Sequence, residues 1–163
     1  MKEIIDVTGK LVIDYRAREW CKLPYHNHPN GCPNYGNRED CPPKVEKVEN
    51  YFNLTLPHWL AIVDFDLESH KNKMKIIHPD WSDYQLKCVL YWQGGVRKKL
   101  KELCEDFIFE NITENIEYRT CPEAMGVHVI STMKKLGYKI SKNIKNTVYK
   151  VALIGYPNEK ICS

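Results

Sequence analysis

Residues 21–43 read CKLPYHNHPNGCPNYGNREDCPP, and their composition differs sharply from that of the rest of the chain. This stretch contains five of the nine prolines and four asparagines, and Leu23 is its only aliphatic residue. Such a segment cannot build a hydrophobic core, and a structureless loop of this length in a compact domain is usually functional or cross-linked. We therefore expect something other than apolar packing to hold residues 21–43 in place.

Cysteines are the first candidates for that role, because the 163 residues include seven of them. An odd number fits a disulfide framework poorly, and the N-terminus lacks the apolar run and small-residue cleavage site of a signal peptide. No apolar run approaches the length of a membrane-spanning helix. We expect a cytoplasmic protein, in which metal binding or thiol chemistry is the usual reason for so many cysteines.

Four of the cysteines are set apart by their context. Cys21 opens the proline-rich stretch, Cys32 and Cys41 lie within it, and Cys121 precedes a predicted helix. Proline directly follows Cys32, Cys41 and Cys121, whereas chance would give about 0.4 such steps. A Cys-Pro step fixes a rigid turn whose later N–H groups can point at the sulfur, as in ferredoxin-type cysteine runs. We predict that these four cysteines bind a metal.

Helix ends give a second argument for two of these residues. Cys41 and Cys121 are each expected at the N-cap of a helix, where the helix dipole stabilises a thiolate or an anionic cluster. The spacing C-x10-C-x8-C differs from the C-x2-C pairs of most zinc ribbons, which favours an iron–sulfur cluster and leaves zinc as the alternative. His26 or His28 could replace one sulfur as a ligand.

The remaining cysteines have other contexts. Cys104 lies on the apolar stripe of a predicted helix, where a thiol behaves as a small hydrophobic group. Cys88 and Cys162 have no motif around them.

The rest of the sequence predicts a single α+β domain over residues 1–163, with a small sheet packed by helices. Alternating residues at 60–67 predict a strand with one solvent-exposed face, and residues 147–156 predict a second strand. Helical spacing marks residues 45–52, the stretch from 86 to 107 and residues 121–137, the last of which is expected to carry Cys121.

Charge excludes two extreme classes of protein. The formal charge is +3, from 24 basic and 21 acidic side chains, which is too balanced for a dedicated nucleic-acid tail or an acidic disordered protein. Residues 121–163 carry seven lysines and two acids, whereas residues 1–120 carry 17 basic and 19 acidic groups. The C-terminal region could therefore contact nucleic acid or another protein.

Two blocks resemble a known family. GCPNYGNREDCPP at 31–43 and CPEAMGVHVISTMKKLGY at 121–138 are similar to the domain of unknown function 2284 family, whose members are labelled predicted metal-binding proteins. The resemblance implies an iron–sulfur or other thiolate-bound metal held by Cys32, Cys41 and Cys121, with Cys21 as the upstream fourth ligand. It implies no reaction.

Three functions remain open. The first is a small protein with an iron–sulfur cluster, of the 4Fe-4S type, that serves electron transfer or sulfur chemistry with a redox or sulfur-transfer partner. The second is a zinc-stabilised module that binds nucleic acid or a protein. The third is an enzyme whose pocket is lined by residues 91–95, YWQGG, where the glycines would let another backbone or a ligand approach closely.

Overall fold

The computed structural model describes residues 1–24, 28–140 and 146–159. Within these ranges the chain forms a four-stranded antiparallel sheet in the order β1-β2-β4-β3. The strands are β1 (Lys2–Asp6), β2 (His58–Asp66), β3 (Glu117–Arg119) and β4 (Thr147–Gly155). The two central strands pair along their whole length, from His58 opposite Gly155 to Asp66 opposite Thr147. The predicted α+β class, a small sheet packed by helices, is confirmed.

The described ranges also contain α-helices and 3₁₀ helices. The α-helices are α1 (Val48–Tyr51), α2 (Leu67–Ile77), α3 (Asp83–Leu86), α4 (Gln93–Glu110) and α5 (Val129–Lys135). In the described part of the chain, 3₁₀ helices lie at Tyr15–Lys22, Val89–Tyr91 and Pro122–Met125. None of the helices in the described ranges is both long enough and apolar enough to cross a membrane.

Both faces of the sheet are buried. On one face, Leu60, Ile62 and Leu153 pack with residues of α5 and the 3₁₀ helix before it. On the other face, Ala61 and Val63 pack with the apolar side of α4. The predicted solvent-exposed face of β2 is therefore wrong over most of its length, because β2 is a central strand with a layer of structure on each side.

The apolar stripe between residues 86 and 107 is divided between three elements. α3 ends at Leu86, a 3₁₀ turn follows, and α4 begins at Gln93 and buries Val96, Leu100 and Cys104. The stripe was therefore correct for α4, but the break falls before Gly94 and not at the glycines. Helix α2 and strand β3 were not predicted from the sequence.

The predicted helix at 45–52 is shorter than expected. It begins only at Val48, and residues 41–45 form turns that include a cis bond between Pro42 and Pro43. A residue that precedes proline is disfavoured in the helical region, so Pro42 cannot open a helix. Cys41 is consequently not at a helix N-cap, which corrects that prediction.

The predicted helix at 121–137 is divided at Gly126. Pro122–Met125 form a 3₁₀ helix, Gly126 adopts a left-handed φ of 99°, and α5 begins at Val129. The His128 side chain accepts a hydrogen bond from the Ser131 N–H and so caps α5. Cys121 therefore precedes a single 3₁₀ turn and is not carried by the longer helix.

Burial of Cys104 leads to a stability prediction. Its side chain is fully buried under α4, and burial raises the pKa of the thiol to about 12. Cys104→Ser should lower the free energy of unfolding by about 1 to 3 kcal/mol, because the hydroxyl would be buried without a designed partner. Chemical denaturation of the variant measures this loss, and an unchanged midpoint would show that the serine finds an acceptor.

Candidate metal centre

The N-terminal segment packs against the segment that follows Cys121. The Asp14 N–H donates to the Gly126 carbonyl at 2.8 Å, and the His128 N–H donates to the Val12 carbonyl at 2.8 Å. The ring of Trp20 meets the imidazole of His128 edge-on, with centroids 5.0 Å apart. These contacts place the end of the 3₁₀ helix Tyr15–Lys22, and with it Cys21, beside the 3₁₀ helix Pro122–Met125.

Backbone contacts join Cys21 to Cys32. The Cys32 N–H donates to the Cys21 carbonyl at 2.7 Å, and the Tyr35 N–H donates to the Cys32 carbonyl at 3.1 Å. Gly31 precedes this contact with a φ of +83°, and a Cβ atom there would lie 2.4 Å from the Cys21 carbonyl oxygen. Only glycine combines this backbone conformation with so close an approach. The two ends of the interval between these cysteines are thus brought together.

The other end of the loop is fixed to the same 3₁₀ helix. The Arg18 guanidinium donates to the carbonyls of Pro43 at 3.1 Å and Val45 at 2.8 Å. Within the loop, the Gly36 N–H donates to the Pro42 carbonyl at 2.8 Å. Hydrogen bonds of this kind hold the described part of residues 21–43, which contributes no residue to either hydrophobic core cluster.

Two of the four predicted ligands, Cys21 and Cys41, have raised thiol pKa values. Burial raises the pKa of Cys21, and the charges of Cys32, Cys41 and Cys121 raise it further. Burial likewise raises the pKa of Cys41, with added contributions from Cys32 and Cys121. Because Coulomb interactions weaken with distance, the charges of Cys32, Cys41 and Cys121 lie within electrostatic range of Cys21. Three separate segments of the chain carry these four cysteines.

The thiols do not form a closed ligand cage. Across residues 1–24, 28–140 and 146–159, no three His, Cys, Asp or Glu side chains lie close enough together to hold a metal ion. Cys121 is exposed, and the other three are half-buried. As a donor set, four thiols fit zinc or an iron–sulfur cluster, which bind thiolates and displace their protons. The four thiols would have to move closer together when a metal binds.

The other cysteines and histidines are placed apart from this group or outside the described residues. Cys104 is in the core and Cys88 is half-buried after α3, and neither is among the charges that act on Cys21. His28 is half-buried in the loop. His26 and Cys162, which the sequence analysis considered, lie outside the described residues.

Two charged residues near the thiols were missed by the sequence analysis. Glu123 adds to the rise in the pKa of Cys21, and burial raises the pKa of Glu123 itself. Arg38 acts in the opposite sense and lowers the pKa of Cys41. The only sequence signal was their position close to a predicted ligand, because Glu123 lies two residues after Cys121.

A shallow cleft lies beside the loop. It has a volume of about 280 Å³ and is lined by residues that include Tyr51, Glu117 and Arg119. The Arg119 guanidinium lies 4.2 Å from the centroid of the Tyr51 ring and 3.7 Å from the carboxylate of Asp40, the neighbour of Cys41. Arg119 thus connects β3 to the cysteine loop.

The pocket expected at residues 91–95 has a different structure. The Trp92 ring stacks on Phe65 with centroids 4.7 Å apart, which is aromatic packing against the sheet. Gly94 and Gly95 are exposed in the first turn of α4, and a Cβ atom on either would meet nothing within 4 Å. No other backbone in the described ranges approaches these glycines closely, and the approach of a ligand stays a prediction.

Comparison with known proteins adds no relative. No protein-family model, curated protein or solved structure matches the chain.

Proposed function

We propose that Cys21, Cys32, Cys41 and Cys121 hold an iron–sulfur cluster, of the 4Fe-4S type, that serves electron transfer or sulfur and redox chemistry. The observation that carries this proposal is that the three other thiols lie within electrostatic range of Cys21, whose carbonyl is hydrogen-bonded to the Cys32 N–H at 2.7 Å. Membership of the domain of unknown function 2284 family is part of the same proposal, because its motifs contain three of these residues.

Charge balance supports a bound metal at this place. Four ionised thiols would repel one another, as the rise in the pKa of Cys21 by its three neighbours indicates. A metal removes that repulsion and favours the deprotonated ligands. A bound cluster would supply one-electron chemistry, or sulfur chemistry at an open iron. The positive charge of Arg38 would offset the remaining negative charge beside Cys41. The carboxylate of Glu123 would instead add negative charge near Cys21.

The role of Cys21 decides between a closed and an open site. With four thiolates the cluster is closed and suits electron transfer, whereas three leave one iron open to substrate or sulfide. Cys21 lacks a following proline, but its hydrogen bond to the Cys32 N–H keeps it at the mouth of the loop. We therefore assign it as the fourth ligand, in a protein of the reducing cytoplasm with a redox or sulfur-transfer partner.

Zinc is the second candidate for the same residues. Four thiolates form a closed tetrahedral zinc site as readily as a cluster site. The metal would then have only a structural role, which is to stabilise the loop. The protein would be a binding module for nucleic acid or a protein partner, without redox chemistry.

Metal analysis after anaerobic purification tests the proposal. We expect a brown protein with acid-labile sulfide and about four irons per chain. Stoichiometric zinc without sulfide would contradict the cluster and support the zinc-binding module. A metal-free protein would contradict both candidates.

The Cys21→Ser variant, purified in the same way, tests the fourth ligand. We expect its cluster to be lost or strongly destabilised, and the wild-type spectrum to be unaffected by added sulfide. A stable cluster in the variant, together with a wild-type spectrum that sulfide perturbs, would show an open site with three ligands.

A further inference from the structure

A stack of aromatic rings lies between two helices. His78 and Trp81 stack almost parallel, with centroids 4.0 Å apart and an angle of 8° between the rings. Tyr91 continues the stack from Trp81 at 5.0 Å and 29°. Here His78, Trp81 and Tyr91 are called the aromatic stack. It joins the end of α2 to the 3₁₀ turn before α4, and neither core cluster includes its rings.

Hydrogen bonds to backbone carbonyls fix the segment that carries the aromatic stack. Lys75 donates to the carbonyls of Pro79 at 2.5 Å and Trp81 at 3.0 Å, and the Trp81 N–H donates to the His78 carbonyl at 3.1 Å. A capping box between Ser82 and Gln85 then starts α3 directly after Trp81. The rings are therefore positioned before any ligand arrives, which reduces the entropy lost on binding.

The end of the stack is open to solvent. Tyr91 is 57% exposed, and Ile76, Ile77 and Tyr84 on the neighbouring helices are exposed as well. Exposed apolar surface of this kind is available to a partner, and large contiguous patches of it mark interaction surfaces.

The segment that contains the aromatic stack is basic. Residues 67–101 carry eight basic and three acidic side chains, a formal charge of +5, although the whole chain carries only +3. Lys71 and Lys87 both pair with Asp83, at 2.7 Å and 2.5 Å. Four further basic residues are exposed and form no ion pair with any residue in the described ranges: Lys73, Arg97, Lys99 and Lys101.

The charges of α4 are arranged against its own dipole. Its first turn has no acidic residue and its last turn has no basic one, while Arg97, Lys98 and Lys99 lie toward the start and Glu105, Asp106 and Glu110 toward the end. Such an order lowers helix stability. The basic residues of α4, which begin at Arg97, six residues after Tyr91, are therefore not explained by stabilisation of the helix.

We propose that the aromatic stack and the basic start of α4 bind single-stranded nucleic acid. A base would stack on the exposed ring of Tyr91, and the phosphates would lie near the unpaired lysines and Arg97. The rings favour a single strand over a duplex, because duplex bases are already stacked on each other. An acidic peptide would use the charges but not the open ring face. This inference is independent of the metal site.

Tryptophan fluorescence of the full chain, titrated with oligouridylate or oligothymidylate of about 12 nucleotides, tests the proposal. We expect quenching at about 50 mM salt and weaker binding as salt rises. Tyr91→Leu should weaken binding about 5- to 150-fold, the loss typical of one stacked base, whereas Tyr91→Phe should retain it. Either nucleic acid supports the proposal.

Phe109→Leu is the matched control. Phe109 is also an exposed aromatic residue, 75% accessible, but it lies at the acidic end of α4. Its replacement should leave affinity unchanged. The proposal is overturned if neither oligonucleotide binds, if a duplex of equal length binds as tightly, or if Tyr91→Leu has no larger effect than Phe109→Leu.

Discussion

The substitutions Cys32→Ser, Cys41→Ser and Cys121→Ser should each remove the proposed cluster, with iron and sulfide falling from the expected value of about four per chain to background. Each thiol is one of the charges that act together around Cys21, and a hydroxyl is a poor ligand for soft metals. Parallel anaerobic purification of the three variants, with metal and sulfide analysis and visible absorbance, measures the effect. Loss of the metal should also lower thermal stability, because metal binding contributes to folding free energy.

Cys88→Ser and Cys104→Ser are the controls for this series. Cys88 is half-buried like most of the candidate ligands, and Cys104 lies in the core, so both should keep the metal. If Cys104→Ser or Cys88→Ser lost the metal while Cys41→Ser retained it, the assignment of the ligands would be wrong.

Gly31→Ala should damage the candidate centre without removing any ligand. The new Cβ atom would lie 2.4 Å from the Cys21 carbonyl oxygen and 2.7 Å from the Cα atom of Lys22, and both are backbone atoms that cannot move independently. The hydrogen bond between the Cys32 N–H and the Cys21 carbonyl would have to break. We expect the free energy of unfolding to fall by about 2 to 4 kcal/mol, because alanine is strained in the left-handed conformation and the hydrogen bond is lost. We also expect a greatly reduced metal content.

Gly36→Ala separates the steric clash from the backbone conformation. Gly36 lies in the same loop with a φ of +73°, but a Cβ atom there would meet nothing within 4 Å. The free energy of unfolding of this variant should therefore fall only by the cost of the left-handed conformation, about 1 to 2 kcal/mol. The variant should keep most of its metal. Thermal unfolding and metal analysis of both variants compare them directly. Equal effects would mean that contact between residues 21 and 31 does not organise the site.

Local sequence patterns were sufficient for the fold class and for several elements. The apolar stripe of Val96, Leu100 and Cys104 is visible in the sequence because a helix imposes its period on buried positions. The strand at 147–156 is visible because it is rich in Val, Ile and Tyr, which favour strands. Strand β3 has only three residues, Glu117–Arg119, and is held by its pairing with β4, so no period could reveal it. Helix α2 was missed because it buries only Leu67.

The position of β2 in the sheet was decided by tertiary structure. Its alternating end, with Asp64 and Asp66, suggested a strand exposed on one side. Pairing with both β1 and β4 instead made it central, and layers on both faces buried Leu60 through Val63. A strand's neighbours depend on contacts far apart in sequence, which its own residues do not encode.

The sequence by itself determined that residues 21–43 cannot be held by apolar packing and that Cys21, Cys32, Cys41 and Cys121 are the cysteines with ligand-like contexts, because composition and Cys-Pro steps are local properties. The two consecutive prolines that delay the helix until Val48, and so remove Cys41 from its N-cap, are likewise a local property. Tertiary structure decided that the segment of Cys21 lies beside the segment that follows Cys121. It also decided which charges act on the thiols, because only the packing of residues 12–22 against residues 122–132 brings distant segments within Coulombic range of one another.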